Sequence, residues 1–258
     1  MSVVRIEERD GIATITVHRP EKLNALTEEV LDALRAAFER CRDEASVRAA
    51  ILTGAGDRAF IAGADLGELG RLDPAGARRN ALKGQALTLL IENLGKPVVA
   101  AINGFALGGG CEIALACTFR VAAEGARLGQ PEVKLGIICG YGGSQRLPRL
   151  VGRGPALEML LTGEPVEAAQ ALRMGLVHRV VPREQLLEES RALLAKVLAA
   201  GPLAVRATLE AVRRGMELPL EEALRVEADL FARCFETRDM REGVSAFLEK
   251  RPPKFTGS

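Results

Sequence analysis

The stretch KPVVAAINGFALGGGCEIALACTFRVAA, residues 96–123, decides the fold. Its first apolar run, VVAAI at 98–102, shows no polar alternation, so it reads as a strand covered on both faces, as in a parallel sheet. Residues 103–110 form a glycine-rich turn, CEIALAC then begins a helix, and FRVAA at 119–123 is the next strand. Strand, turn, helix, strand is the unit that builds a parallel sheet through right-handed crossovers. Upstream, RAAILTG at 48–54 reads as another buried strand, and residues 55–73 as a loop with a small helical piece. Thr27 caps a helical pattern with acidic residues in its first turn, and 76–93 is helical in period. At the N-terminus, Asp10-Gly11 between the β-rich runs 3–8 and 12–18 signals a hairpin, because its turn needs positive φ. Downstream, beyond a short strand near 126–128, the chain reads as helices at 144–162, 167–174, 184–199, 203–216, 219–236 and 239–249, interrupted by a strand at 176–181.

Composition narrows the function classes. Thirty-five Lys and Arg face 34 Asp and Glu, a net charge of +1, which argues against a dedicated nucleic-acid binder. Aromatics are 3%, with no Trp and one Tyr, too few for base-stacking platforms or membrane-interface belts. The apolar stretch at 97–117 is broken by Asn103, Glu112 and four glycines, so it does not span a bilayer. Five cysteines form no CxxC pair, and the two histidines, His18 and His178, are far apart. A disulfide framework or zinc site is not expected. With no apolar leader in MSVVRIEERDG, the expected setting is cytoplasmic.

Two glycine-rich turns are candidate chemistry. AGAD at 62–65 follows the strand at 48–54, and GGGCE at 108–112 opens a helix. Glycines admit close backbone approach, and a helix start offers unpaired N–H groups. Two such loops together supply what an oxyanion site requires, N–H donors from separate segments. Tight strand-to-helix packing is the ordinary reading of a glycine triplet taken alone, and GGGCE lacks the GxGxxG of a dinucleotide site. Two carboxylates lie near these turns: Glu112 in the first turn of its helix and Glu132 in a loop. A carboxylate pair across a cavity can handle one water, one accepting a proton and the other donating. Taken singly, Glu112 serves as a helix-dipole partner and Glu132 as a solvated loop acid or cap. Cys111 lacks a nearby base and reads as a small packing residue.

Several landmarks in order carry a family likeness: HRPEKLNAL (18–26), FIAGADL (60–66), KPVVAAINGFALGGGCEIALACT (96–118), LGQPEVKLGI (128–137), GYGGSQRLPRLVG (140–152) and REGVSAFLEKRPPKF (241–255). With these the chain resembles the enoyl-CoA hydratase/isomerase (crotonase) superfamily along essentially its whole length. The resemblance implies an α/β fold, a crotonase-like spiral of ββα units over residues 1–195. A helical C-terminal oligomerisation region over 196–258 would drive trimerisation, often as a dimer of trimers.

The resemblance also implies reversible hydration of a trans-2-enoyl-CoA. Glu112 and Glu132 would be catalytic, and the N–H groups of Ala64 and Gly109 would form the oxyanion hole. Lys22, Ala25, Ala62, Asp65, Leu66, Gly108, Pro131, Gly140, Phe235 and Lys254 would contact substrate or CoA, with Arg19 or Lys22 near phosphates. Phe235 and Lys254 would approach from a neighbouring subunit. No metal or redox cofactor is implied, since coenzyme A belongs to the substrate and the thioester is the electron sink. No nucleic-acid or membrane partner is implied. The alternatives are another acyl-CoA enzyme on this fold, an isomerase or lyase, and a non-catalytic CoA- or RNA-binding relative. The sequence departs from the family at Cys139 (often Pro), Thr118 (usually Asp) and Ser144 (commonly Thr).

Overall fold

β1 (Val4–Arg9) and β2 (Ile12–Val17) form the antiparallel hairpin that Asp10-Gly11 announces. Both turn residues have positive φ, 55° and 75°, the hand that matches strand twist. The computed structural model describes residues 2–258. α1 (Glu28–Asp43) follows, with Thr27 Oγ1 accepting from the Val30 N–H at 3.2 Å. Its buried side chains, Val30, Leu31, Leu34, Ala37, Phe38 and Cys41, recur at the helical period and form one stripe.

A repeating path then generates the core. β3 (Ala49–Gly54), β5 (Val98–Ile102) and β7 (Phe119–Ala123) each enter a six-stranded sheet of order β1-β2-β3-β5-β7-β10. After each, the chain places a three-residue strand in a second sheet. These are β4 (Ala59–Ile61), β6 (Phe105–Leu107) and β8 (Arg127–Gly129), in the order β4-β6-β8-β9. Helices close each turn: α2 (Leu66–Leu69) and α3 (Pro74–Glu92) after β4, and α4 (Gly109–Ala116) after β6. A 3-10 turn at Pro131–Leu135 and then α5 (Gly143–Val151) follow β8. This is a spiral of ββα turns. Its pairings are parallel from β2 to β10 and from β4 to β8. Every residue of β3 and β5 is buried, which accounts for their unbroken apolar sequence.

The remaining elements are α6 (Arg153–Thr162), β9 (Val166–Glu167), α7 (Ala168–Arg173), β10 (Arg179–Val181), α8 (Leu186–Leu198), α9 (Pro202–Gly215), α10 (Leu220–Cys234) and α11 (Arg238–Leu248). The single helix expected at 144–162 is two, because Gly152 at φ 82° and ψ 162° leaves the helical region between them. The strand expected at 176–181 is shorter. Leu176 and Val177 instead send their N–H groups to Ala171 O, finishing α7.

The chain divides into two compact units, residues 1–94 with 98–191, and residues 95–97 with 192–258. The first holds both sheets and a continuous apolar core with Ile15, Leu34, Phe38, Leu52, Phe60, Ile102 and Leu128 fully buried. The second is helical, with α9 packed on α10. Among the described residues, no single helix is long and apolar enough to cross a membrane.

Candidate active site

Two buried amides shape the loop between β3 and β4. Asn24 donates to Ala55 O and Ala59 O at 2.9 and 2.8 Å, while its Oδ1 accepts from the Arg19 N–H. Asn103 donates to Gly54 O and Gly56 O, both at 2.9 Å. Backbone bonds Ala62 N to Leu23 O, Leu26 N to Gly63 O and Asp65 N to Leu26 O then clip the 19–26 segment onto AGAD. In the resulting one-residue parallel bridge, Leu26 bonds to the residues flanking Ala64. The N–H of Ala64 is therefore turned away from that partner, and no acceptor takes it among the described residues.

The second glycine turn brings another donor beside it. Gly108 has φ 51° and ψ −125°, a conformation open to glycine, and a Cβ there would lie 3.0 Å from Glu132 Oε1. Gly110 is a packing position: its Cβ would lie 2.0 Å from Ile61 O, so α4 rests directly on β4, the strand leading to Ala64. Between them, Gly109 is the first residue of α4, where an N–H has no intrahelical partner and the helix dipole is positive. At the far end of α4, buried Arg120 donates to Cys117 O and Leu176 O at 2.8 Å, fixing the helix along its axis.

Glu112 is buried at 2% exposure. Its Oε1 accepts from the Tyr141 and Gly143 N–H groups at 2.8 and 2.6 Å. Burial pushes its carboxyl above the ordinary range, while those two amides and the Arg146 charge oppose the rise. Glu132 lies in the 3-10 turn and not in an open loop. Burial, with a smaller contribution from the Glu112 charge, pushes it up to about 7. Gln130, buried at the start of the same turn, faces it: with its amide set to donate, the nitrogen lies 3.1 and 3.2 Å from the two carboxylate oxygens. Glu112 can thus hold a proton-accepting oxygen in place while Glu132 carries a proton near neutrality.

Both carboxylates face one cavity of about 830 Å³, which also takes in Ala62, Ala64, Leu66, Gly108, Gly109, Pro131 and Gly140. The other residues named from the sequence do not line it. Asp65 caps α2 by accepting from the Gly67 N–H at 3.0 Å. Arg19 is turned inward, donating to Ala25 O at 2.7 Å and pairing with Asp65 at 3.5 Å, so it is a brace of the loop and not a free phosphate ligand. Lys22 is exposed, and Ala25 accepts the Arg19 bond through its carbonyl. Phe235 and Lys254 belong to the second unit. Phe235 is half-exposed beside Phe231, and Lys254 lines a surface depression with Glu242 and Arg251.

Two of the three departures from the family pattern, Thr118 and Cys139, have defined places in the structure. Thr118 Oγ1 accepts from the Val98 N–H at 3.1 Å, tying β5 to the end of α4. Cys139 is in the cavity wall, its thiol pushed up to about 12 by burial and then by Glu112 and Glu132. Cys111 is fully buried with its thiol pushed up, a packing residue as expected. His178 accepts from the Arg120 N–H and meets Phe119 edge-on. Among the described residues, no group of three His, Cys, Asp or Glu side chains is arranged to hold a metal ion. Sequence reasoning missed Tyr141, Gly143 and Gln130 as partners of the carboxylates, and Leu135, Ile137 and Ile138 as the apolar wall.

The family model described as Enoyl-CoA hydratase/isomerase matches residues 7–258. A crotonyl-CoA hydratase of Syntrophomonas wolfei is 45% identical over 250 residues, covering 97% of this chain and 96% of the relative. A short-chain-enoyl-CoA hydratase of Clostridium acetobutylicum is 42% identical, covering 96% and 95%. The crystal structure of an enoyl-CoA hydratase from Bacillus anthracis superposes with a TM-score of 0.96 at 40% identity, covering 99% of this chain and 100% of that one.

Proposed function

The chain belongs to the enoyl-CoA hydratase/isomerase family, its activity is that of a hydro-lyase adding water reversibly to a trans-2-enoyl-CoA, and we propose that Glu112 and Glu132 carry out this addition. The observation that supports the assignment is the meeting of two carboxyl groups and the N–H groups of Ala64 and Gly109 around one cavity.

The thioester oxygen accepts from Ala64 and Gly109, which draws electron density from C3 and holds the charge that develops as water adds. In its ionised form Glu112, anchored by the Tyr141 and Gly143 amides, takes a proton from water as the water oxygen bonds to C3. Glu132 delivers its proton to C2. The substrate gains one water, and the two carboxyls exchange protonation states before the next turnover. No separate cofactor enters this scheme, because the thioester accepts the charge. Lys22, on the exposed rim of the 19–26 loop, is proposed to meet the CoA phosphates, and Ala62, Leu66, Gly108, Pro131 and Gly140 to line the acyl-thioester path.

The proposal includes a homo-oligomer, a trimer or dimer of trimers. It is supported by the exposed apolar side chains of the second unit, among them Met216, Leu220, Phe231 and Phe247, since large exposed apolar surfaces are interaction surfaces. It also includes a reducing, cytoplasmic setting, supported by five cysteines that form no disulfide among the described residues. The test is incubation with crotonyl-CoA in oxygen-18 water. The expected product is 3-hydroxybutyryl-CoA labelled at the C3 hydroxyl; an unlabelled isomer of the substrate would instead identify a double-bond isomerase.

A further inference from the structure

One stripe of α3 grips the segment that holds Glu112. Asn80, Gly84, Thr88 and Glu92 recur every four residues and so lie on one helix face. Each meets residues 141–146. Tyr141 Oη donates to Asn80 Oδ1 at 2.8 Å, and the Thr88 hydroxyl donates to Tyr141 O at 3.0 Å. Arg146 pairs with Glu92 at 2.9 Å and donates to Tyr141 O at 3.1 Å. At Gly84 a Cβ would fall 2.1–2.3 Å from three carbons of the Tyr141 ring, so the ring occupies a notch that only a missing side chain leaves.

The opposite edge of the ring reaches the oxyanion glycine. Tyr141 Cε2 and Cδ2 lie 3.0 and 3.2 Å from where a Cβ of Gly109 would stand. The ring is 5% exposed and contributes to the same cavity as Glu112 and Glu132. In the proposed hydration the thioester oxygen sits at Gly109 and C3 beside Glu112, and the ring stands in the cavity wall next to both. It cannot retreat, because its back is against Gly84 and its hydroxyl is tied to Asn80.

We propose that Tyr141 is the specificity-determining residue of the acyl site: its ring is the end wall, locked onto α3 by Gly84 and Asn80, and it restricts hydration to short enoyl chains. This rests on the hydratase reading of the same cavity. Asn80 is a positioning residue in this arrangement, acting through the Tyr141 hydroxyl.

The experiment measures kcat/KM for four-, eight- and twelve-carbon trans-2-enoyl-CoA with wild-type protein and with Tyr141→Ala, Tyr141→Phe and Asn80→Ala. Wild type is expected to favour the four-carbon substrate. The twelve-to-four-carbon ratio should rise by about tenfold or more in Tyr141→Ala, the scale on which a pocket discriminates added methylenes. It should rise less in the two variants that keep the ring and lose the hydrogen bond. These two also test the wall should Tyr141→Ala fail to fold.

A second readout exploits composition. Tyr141 is the one tyrosine of a chain with no tryptophan, so tyrosine emission reports on this ring alone. Butyryl-CoA should change that emission and free CoA should not. Equal wild-type turnover of twelve- and four-carbon substrates would overturn the wall, as would an unchanged ratio across the variants or emission indifferent to butyryl-CoA. Wild-type failure on every enoyl-CoA would instead overturn the hydratase reading itself, and the wall with it.

Discussion

Replacing Glu132 by Gln is expected to stabilise the protein in a pH-dependent way while disabling it. The folded protein holds the Glu132 carboxyl at about 7, against an ordinary value of 4.5. The native state therefore binds more protons than the unfolded chain between these two pH values. The penalty for ionising Glu132 is absent below pH 4.5, grows from there to 7, and is complete above 7. At 1.36 kcal/mol per pH unit the gap sets a ceiling of roughly 3.4 kcal/mol. Glu132 is only half-buried, and solvent screening reduces this to about 2 kcal/mol. A neutral amide carries no such penalty. For units of this size, 1 kcal/mol moves Tm by about 2–4 °C, so Glu132→Gln should melt roughly 4–8 °C above wild type at pH 8 and level with it at pH 4.5. The assay is a thermal melt of both proteins across that pH range at fixed protein concentration. Parallel melting curves, with the same offset at every pH, would refute the claim that this carboxyl is protonated by its surroundings.

Other outcomes follow from the same geometry. Gly109→Ala should fold with a lowered Tm, because its Cβ meets a flexible Leu26 methyl at 2.9 Å but also the fixed Tyr141 ring at 3.0 Å. It should lose about 10²–10³-fold in kcat through the displaced donor. Gly110→Ala should chiefly lose stability, because its Cβ strikes the Ile61 carbonyl; melting and crotonyl-CoA turnover of the two variants separate these effects. Lys22→Ala should raise KM more than it lowers kcat, as remote binding contacts do. Arg19→Ala should lower Tm, because that side chain braces Ala25 and Asp65. The kcat/KM for crotonyl-CoA should fall as pH rises through about 7, where Glu132 loses its proton.

Elements with local signals were legible in the sequence. The Asp10-Gly11 turn, the Thr27 cap and the buried strands at 48–54, 98–102 and 119–123 each carry their own chemistry within a few residues. β4 and β6 were not legible, because three residues are too few to show a period, and both lie in segments that read as loop or turn. The split between α5 and α6 turns on the φ of Gly152, which a helical pattern on either side conceals. At the site, Glu112 and Glu132 stood out by proximity to glycine turns, but physical reasoning alone left helix-dipole and solvated readings open, and motif resemblance made the pairing. The α3 stripe gave no sign: Asn80, Gly84, Thr88 and Glu92 are ordinary in a helix, and their partners lie more than 50 residues away. Only folding brings Tyr141 to them.

The most direct test of the account is a double-mutant cycle in kcat for crotonyl-CoA hydration, followed by loss of the enoyl-thioester absorbance. If the two carboxyls share one water as a unit, Glu112→Gln and Glu132→Gln should each cost about 10²-fold or more. The double variant should then fall little further than the worse single one. Near-wild-type turnover in either folded single variant, or losses that simply multiply, would contradict a paired role for Glu112 and Glu132.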